Sequence, residues 1–341
     1  MFVKSIRFGV TVALTSLVAV AGLAGCSSAS DSDADSLTIY SGRNEALVKP
    51  LIDKFTEETG IQAEVRYGGS SELSAQIAEE GSNTPAQVFF SQDAGALGAL
   101  QNLGALAPLP ASVATTVPAA YRSTDWTGIS GRARTIVYDP AKFANPPTSV
   151  FDLTDAKYKG EVGIAPTNAS FQSFVTGMRV TSGDAKTEEW LKGIMANDPQ
   201  IFDSNLKIVE SVDAGTTGLG LVNHYYWYVA AREKGGAENL KVAQEFTKPG
   251  DPGSLVNVAG AALTANNATN ANATKFLEFL LSTPSQEYFA AETFEYPLIP
   301  GLAGPEGSPP LSSVGTPPID LNDLSDLAGT QALMREAGML A

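Results

Sequence analysis

Thiol and imidazole are almost missing from this chain, which has one cysteine, Cys26, and one histidine, His224, among 341 residues. A lone thiol excludes an intramolecular disulfide, so the mature fold must be held together by its core. The single histidine has no Ser–Asp partners in an evident motif, and there is neither a Gly-x-Ser-x-Gly turn nor a cysteine nucleophile, so an enzyme is not expected. Bases are scarce as well: 22 Lys and Arg face 37 Asp and Glu, for a net charge of −15. Nucleic acid is therefore not an expected partner, because phosphate backbones demand clustered Lys and Arg. The acidity favours solubility and does not identify a ligand. No apolar run after the first 25 residues approaches the ~20 that a membrane span needs. There is also no internal repeat.

What is present begins with an address. Residues 1–25 carry Lys4 and Arg7 and then an apolar run from Phe8 to Leu23, the pattern of a secretory signal, which is excluded from the fold. The run ends in Leu23-Ala24-Gly25-Cys26, which resembles a bacterial lipobox. Acylation of Cys26 would make it the mature N-terminus and tether the protein to the outer face of the membrane. Residues 26–36, rich in Ser, Asp and Ala, read as a disordered spacer. The remaining length and 43% apolar residues suffice for two cores.

Strand and helix patterns alternate along the mature chain. Leu37–Tyr40 reads as a strand, and Leu47, Val48, Leu51, Ile52 and Phe55 follow at helical spacing up to Gly60. Pro50 predicts that this helix starts late or kinks. Ile61–Tyr67 alternates as a strand, Ser71–Glu80 reads as a helix, Val88–Ser91 as a buried strand and Asp93–Leu103 as a helix. A second series has strands at Arg134–Asp139, Val162–Ala165, Gly218–Val222 and Leu255–Leu263, with helices marked by Phe171, Phe174, Val175 and Met178, then by Trp190, Leu191 and Ile194. Helices over Ala271–Leu281 and Ser285–Glu292 close the pattern. This order predicts an α/β fold of two lobes that exchange strands, with a ligand cleft at the strand ends. The expected lobes are residues 37–130, with 256–300 returning to them, and residues 131–255, with 301–341 packing on them.

Tyr225 and Tyr226 stand side by side where an apolar strand breaks into a helix. A phenol holds its proton to about pH 10, so paired tyrosines are poor ligands for most ions. A small, hard, highly charged cation such as Fe³⁺ reverses this by displacing the protons. Helical neighbours do not face one another, so two adjacent phenols converge on one ion only in a turn or a first helical turn. The alternative is that this aromatic stretch, with Trp227 and Tyr228, packs one face of a helix. Thr167-Asn168-Ala169-Ser170 leads into another helix, whose free N–H groups would suit an anion.

Taken together, Ile39–Arg43, Ser130–Arg134, Pro166–Phe171, Asn223–Trp227 and Glu295–Leu298 resemble, in order and spacing, the ferric-ion-binding family of extracytoplasmic solute-binding proteins. The resemblance runs over nearly the whole mature chain. It implies a periplasmic-binding-protein-like fold and an iron(III) ABC importer. In that family the paired tyrosines bind Fe³⁺ as phenolates, a role that falls here on Tyr225 and Tyr226. The family's better-known members add a histidine and a glutamate, and the matching positions here are Asn44 and Gln92, both neutral. Glu45 or Asp93 could restore a charge, although each also reads as a first-turn helix residue favoured by the macrodipole.

Two phenolates leave coordination positions open for carbonate or phosphate as a synergistic anion. The resemblance implies anion contacts from Asn168, Ala169 and Ser170 and from Asn205 and Asn223, which are also plausible helix caps. Arg43 is the guanidinium expected nearest the anion, with Arg132 and Arg134 next. His224 neighbours the pair, but the family has an ordinary side chain there. The expected partners are the importer's permease and its ATPase, the membrane through the lipid anchor and no second protomer. An alternative is a same-fold receptor for an organic solute or oxyanion, in which the tyrosines stack or donate hydrogen bonds.

Overall fold

The computed structural model describes residues 36–340. The export signal, most of the spacer and Cys26 lie outside the described residues. In chain order the first elements are β1 (Ser36–Ser41), α1 (Glu45–Thr59), β2 (Gln62–Tyr67), α2 (Ser70–Glu80), β3 (Val88–Ser91), α3 (Ala94–Asn102) and β4 (Thr127–Tyr138). The middle of the chain forms β5 (Val162–Ile164), α4 (Ala169–Ser182), α5 (Asp184–Ala196), β6 (Gln200–Ile201), α6 (Asn205–Asp213), β7 (Leu219–Asn223), α7 (Tyr225–Glu233) and β8 (Ala243–Glu245). Then come β9 (Val256–Leu263), α8 (Ala271–Leu280), α9 (Thr283–Ala291), β10 (Tyr296–Pro297), α10 (Leu311–Val314) and α11 (Leu327–Glu336).

Strand pairing makes two α/β lobes. β1 lies between β2 and β3 in parallel, and β9 adds antiparallel to β3. β5 lies parallel to both β6 and β7. β4 joins the two halves, since residues 127–133 pair with β9 and residues 134–138 pair with β7 and β8. The sequence predicted a strand only from Arg134. The earlier half of β4 contains Gly128, Ser130 and Gly131, which carry little strand propensity.

The first core gathers Leu37, Ile39, Phe55, Phe89, Phe90, Trp126 and Phe276 around β1, β3 and β9. In the second lobe, successive residues of β4 feed opposite faces of the sheet. Ile136 joins Phe171, Phe174 and Trp190, while Val137 joins Ile208, Val209 and Val222. Each large apolar side chain buried this way contributes about 1.5–3 kcal/mol, so the core supplies the stability that disulfides give elsewhere. The C-terminal segment serves both cores: Leu321 and Leu324 join the first, Met334 and Met339 the second.

Local chemistry sets the element ends. Asn44 caps α1 by accepting from the Ala46 N–H at 2.9 Å, and Gly60, at φ 76°, closes it. Of the two outcomes expected from Pro50, a late start is excluded, because α1 begins at Glu45. The helix contains Pro50, and the residue whose carbonyl loses its partner, Ala46, is exposed, so water can serve it. Gly42 is required by close approach, because a Cβ there would lie 2.0 Å from Ser70 Oγ and 2.9 Å from Ser70 Cα. That contact lets α2 begin against the end of β1.

Candidate functional site

The residues singled out in the sequence cluster where strands end. Arg43 follows β1, Gln92 and Asp93 follow β3, Asn168 follows β5, and Tyr225 follows β7 after one intervening residue. In such folds the carboxyl ends of the strands face the ligand crevice. Arg132 and Arg134 come from β4, two residues apart and so on one face of the strand.

Tyr225 and Tyr226 are the first two residues of α7. Their rings stack with centroids 4.2 Å apart and planes inclined by 30°, so the first helical turn does bring adjacent phenols together. Tyr225 is buried and Tyr226 half-buried. Burial pushes the Tyr225 phenol well above its ordinary range; the neighbouring Tyr226 adds to this, and the Arg132 charge opposes it.

The arginines divide into two groups. Arg43 does not lead toward an anion as the sequence suggested. Its Nη2 is held by both Glu295 oxygens at 2.8 and 2.9 Å, and neither side chain reaches solvent. A carboxylate that already accepts both bonds satisfies this guanidinium's charge. Burial alone would raise the Glu295 carboxyl, but Arg43 and Arg132 and the Ser130 hydroxyl hold it below the usual carboxylate range. Arg132 and Arg134 instead line a small cavity with Ser170, Phe174, Asn223, Leu255 and Asn257. It has room for about one water. Burial lowers the Arg132 guanidinium and takes Arg134 down to about 9, still protonated at neutral pH.

Hydrogen-bond donors in this neighbourhood outnumber their partners. Arg134 donates through Nη1 to Asn205 Oδ1 at 3.3 Å and through Nη2 to the Ser170 carbonyl. Arg132 Nη2 donates to the Gln92 carbonyl. Arg132 Nε and Nη1, Arg134 Nε and Asn205 Nδ2 remain buried without an acceptor. Unpaired buried donors are costly, and an anion with several acceptor oxygens would satisfy them.

The asparagines do different jobs. Asn168 caps α4, accepting from Ser170 N at 3.0 Å and Ser170 Oγ at 2.6 Å, and Ala169 opens the helix. Asn205 is not a cap, since Ser204 takes that role for α6. Asn223 is not a cap either: it ends β7 opposite Arg134. Of the proposed extra metal ligands, Asn44 caps α1 and is exposed, as is Glu45. Gln92 Oε1 accepts from Arg43 Nη1 at 3.3 Å. Asp93 caps α3 by accepting from Ala96 N at 3.2 Å, and burial raises its carboxyl against the pull of Arg132. Among the described residues no group of three or more His, Cys, Asp and Glu could hold a metal.

His224 faces away from solvent entirely. Its ring stacks on Tyr296 at 4.7 Å, and Nδ1 accepts from Ala133 N at 3.2 Å. Burial depresses it to about 4, so it is a neutral core group. Sequence reasoning assigned no role to two residues, Glu295, which it placed only within a family fragment, and Asn257. Glu295 was visible as a lone acid between Phe294 and Tyr296. Asn257 ties the lobes together, accepting from Ala94 N at 3.2 Å and donating to Ser173 Oγ at 2.7 Å; nothing in its strand pattern marked it.

Two lobes joined by shared strands, with a polar crevice at the strand ends, define a hinged solute receptor. The chain belongs to the bacterial extracellular solute-binding proteins, whose family model matches residues 83–313. It is 33% identical over 310 residues to the major ferric iron-binding protein of Neisseria meningitidis serogroup B, covering 89% of this chain and 93% of that protein. The structure of iron-bound HitA from Pseudomonas aeruginosa superposes with a TM-score of 0.82 at 31% identity, over 89% of this chain and 99% of that one. A Trichodesmium IdiA (FutA) structure in complex with iron and citrate gives a TM-score of 0.77 at 29% identity, with coverage of 89% and 99%.

Proposed function

We propose that this protein is the receptor of an iron(III) ABC importer, binding Fe³⁺ through the phenolates of Tyr225 and Tyr226 together with a synergistic anion. The observation that carries the reading is the stacked, adjacent phenol pair at the start of α7 beside buried, unpartnered guanidinium N–H groups. Similarity to proteins named for ferric iron supports it. Two phenolates neutralise part of the metal charge, and Arg132, Arg134, Asn205 and Asn223 with the Asn168–Ser170 helix start receive carbonate or phosphate. Arg43 is assigned to Glu295 and not to the anion. Asn44, Glu45, Gln92 and Asp93 keep their capping, exposed or Arg43-bound roles. No catalytic step is required.

Residues 37–130 with 256–300 form one lobe of this reading, and 131–255 the other, hinged where β4 and β9 cross between them. The C-terminal segment clasps both. Export by residues 1–25 and acylation of Cys26 place the receptor at the outer face of the membrane, where it serves the permease and its ATPase as a monomer. No helix among the described residues is long and apolar enough to cross a membrane. An organic-solute receptor is not favoured, because the relatives are named for ferric iron and the cavity at the arginines is small.

The test is competition with a ferric chelator. Tyr225→Phe and Tyr226→Phe should each weaken Fe³⁺ binding by at least about 100-fold, since each removes an anionic ligand, with circular dichroism unchanged. Unaltered affinity in both variants would refute the assignment.

A further inference from the structure

Glu295 sits at the meeting point of the lobes. Its oxygens take both bonds from Arg43 Nη2 and one from Ser130 Oγ. The residues around it rest on the tyrosine-bearing helix. Arg232 Nη1 donates to the Glu292 carbonyl at 3.1 Å, Phe294 stacks on Tyr228 at 5.7 Å, and Tyr296 stacks on His224. Phe294 has φ 56°, a conformation that non-glycine residues avoid, so the surrounding contacts hold the segment in place. The buried charges here are three guanidinium groups, Arg43, Arg132 and Arg134, against Glu295, with half-buried Asp93 beside Arg132. Glu295 lies outside the lining of the small arginine cavity, yet its charge reaches both Arg132 and Tyr225.

We infer that Glu295 is a positioning residue that divides charge between the two ligands of the cleft. Its carboxylate cancels one of three buried guanidinium charges and Asp93 faces another, leaving a net positive field for the anion while keeping the site receptive to a trivalent cation. This rests on the ferric reading above. Removing the carboxylate raises the positive field, so the anion is held more tightly and the metal less. Removing Arg43 does the reverse, and removing both restores the balance, because long-range Coulomb terms depend on the net charge left behind.

The experiment compares wild type, Glu295→Gln, Arg43→Met and the double variant in the exported protein. Inorganic phosphate is titrated into the iron-free form by calorimetry, and Fe³⁺ is transferred from nitrilotriacetate. The expected result for Glu295→Gln is phosphate bound about tenfold more tightly and iron about tenfold more weakly. Arg43→Met should move both in the opposite sense, and the double variant should return within about threefold of wild type. If both affinities fall together in Glu295→Gln, or the double variant fails to return, the pair is structural only and the inference is overturned. If a single variant does not fold, the other single variant and the double decide by the same signs. A wild type that binds phosphate but no iron defeats the ferric reading. The inference then stands or falls on whether Glu295→Gln tightens phosphate.

Discussion

A phenol buried as deeply as that of Tyr225 keeps its proton at neutral pH, and a ferric ion has to displace it. Each phenolate formed releases a proton, so protons and metal compete. Apparent Fe³⁺ affinity should fall as pH drops, by about tenfold per pH unit for each proton displaced. Chelator competition between pH 8 and 6 measures this, and a flat profile counts against tyrosinate ligation. His224 titrates by a different logic. It is depressed from 6.5 to about 4 in the folded chain, so between those values the unfolded chain binds more protons. The stability it contributes is therefore complete above about pH 6.5 and is lost as pH falls toward 4. Urea unfolding of the iron-free protein at pH 7 and pH 5 should show a loss of about 2 kcal/mol from this group. In His224→Phe, which keeps a ring against Tyr296, that increment should disappear. An unchanged pH difference would mean that His224 is accessible to solvent protons.

At the scale of elements, the site depends on how helices begin. Asn168 holds the first turn of α4 through Ser170 N and Oγ, and Ser170 in turn receives Arg134. Asn168→Ala should cost about 1 kcal/mol in urea stability and also weaken phosphate binding to the iron-free protein, as calorimetry would report. A loss of stability with phosphate affinity intact would confine Asn168 to capping. The alternation of β1, α1, β2 and α2 was legible because half-buried elements carry a period of 2 or 3.6 in their apolar residues, and β3 because Val88, Phe89 and Phe90 form a short apolar run. The first half of β4 and the short β6, β8 and β10 were not, being interrupted by Gly128 and Gly131 or only two or three residues long. α6 was missed although Ile208, Val209 and Val212 form its buried face. The phenol pair and the Asn168 cap could be read from neighbours in sequence. The Arg43–Glu295 pair could not, because its partners are 252 positions apart and only the tertiary fold selects one acid among many.

For the whole molecule, β4 runs between two cores, exchanging β9 for β7 and β8 as partners between residues 133 and 134. Asn257 on β9 reaches α3 on one side and α4 on the other, so closure of the lobes and assembly of the site are one event in this account. The C-terminal segment spans the same divide, with Leu324 in one core and Met334 in the other. Such an arrangement suits a chain with a single histidine and, among the described residues, no cluster of three or more His, Cys, Asp and Glu. In the proposed reading, the metal takes its charge balance from two phenols and an exogenous anion, and that anion occupies the arginines that would otherwise repel it. The central claim is tyrosinate ligation of one ferric ion per molecule. It is tested most directly by titrating the chelator-stripped protein with ferric citrate while recording visible absorption, with Tyr225→Phe/Tyr226→Phe alongside. The account predicts a phenolate-to-iron charge-transfer band that saturates at about one ion per protein and is lost in the double variant; no band in the wild type, or the same band in both proteins, would contradict it.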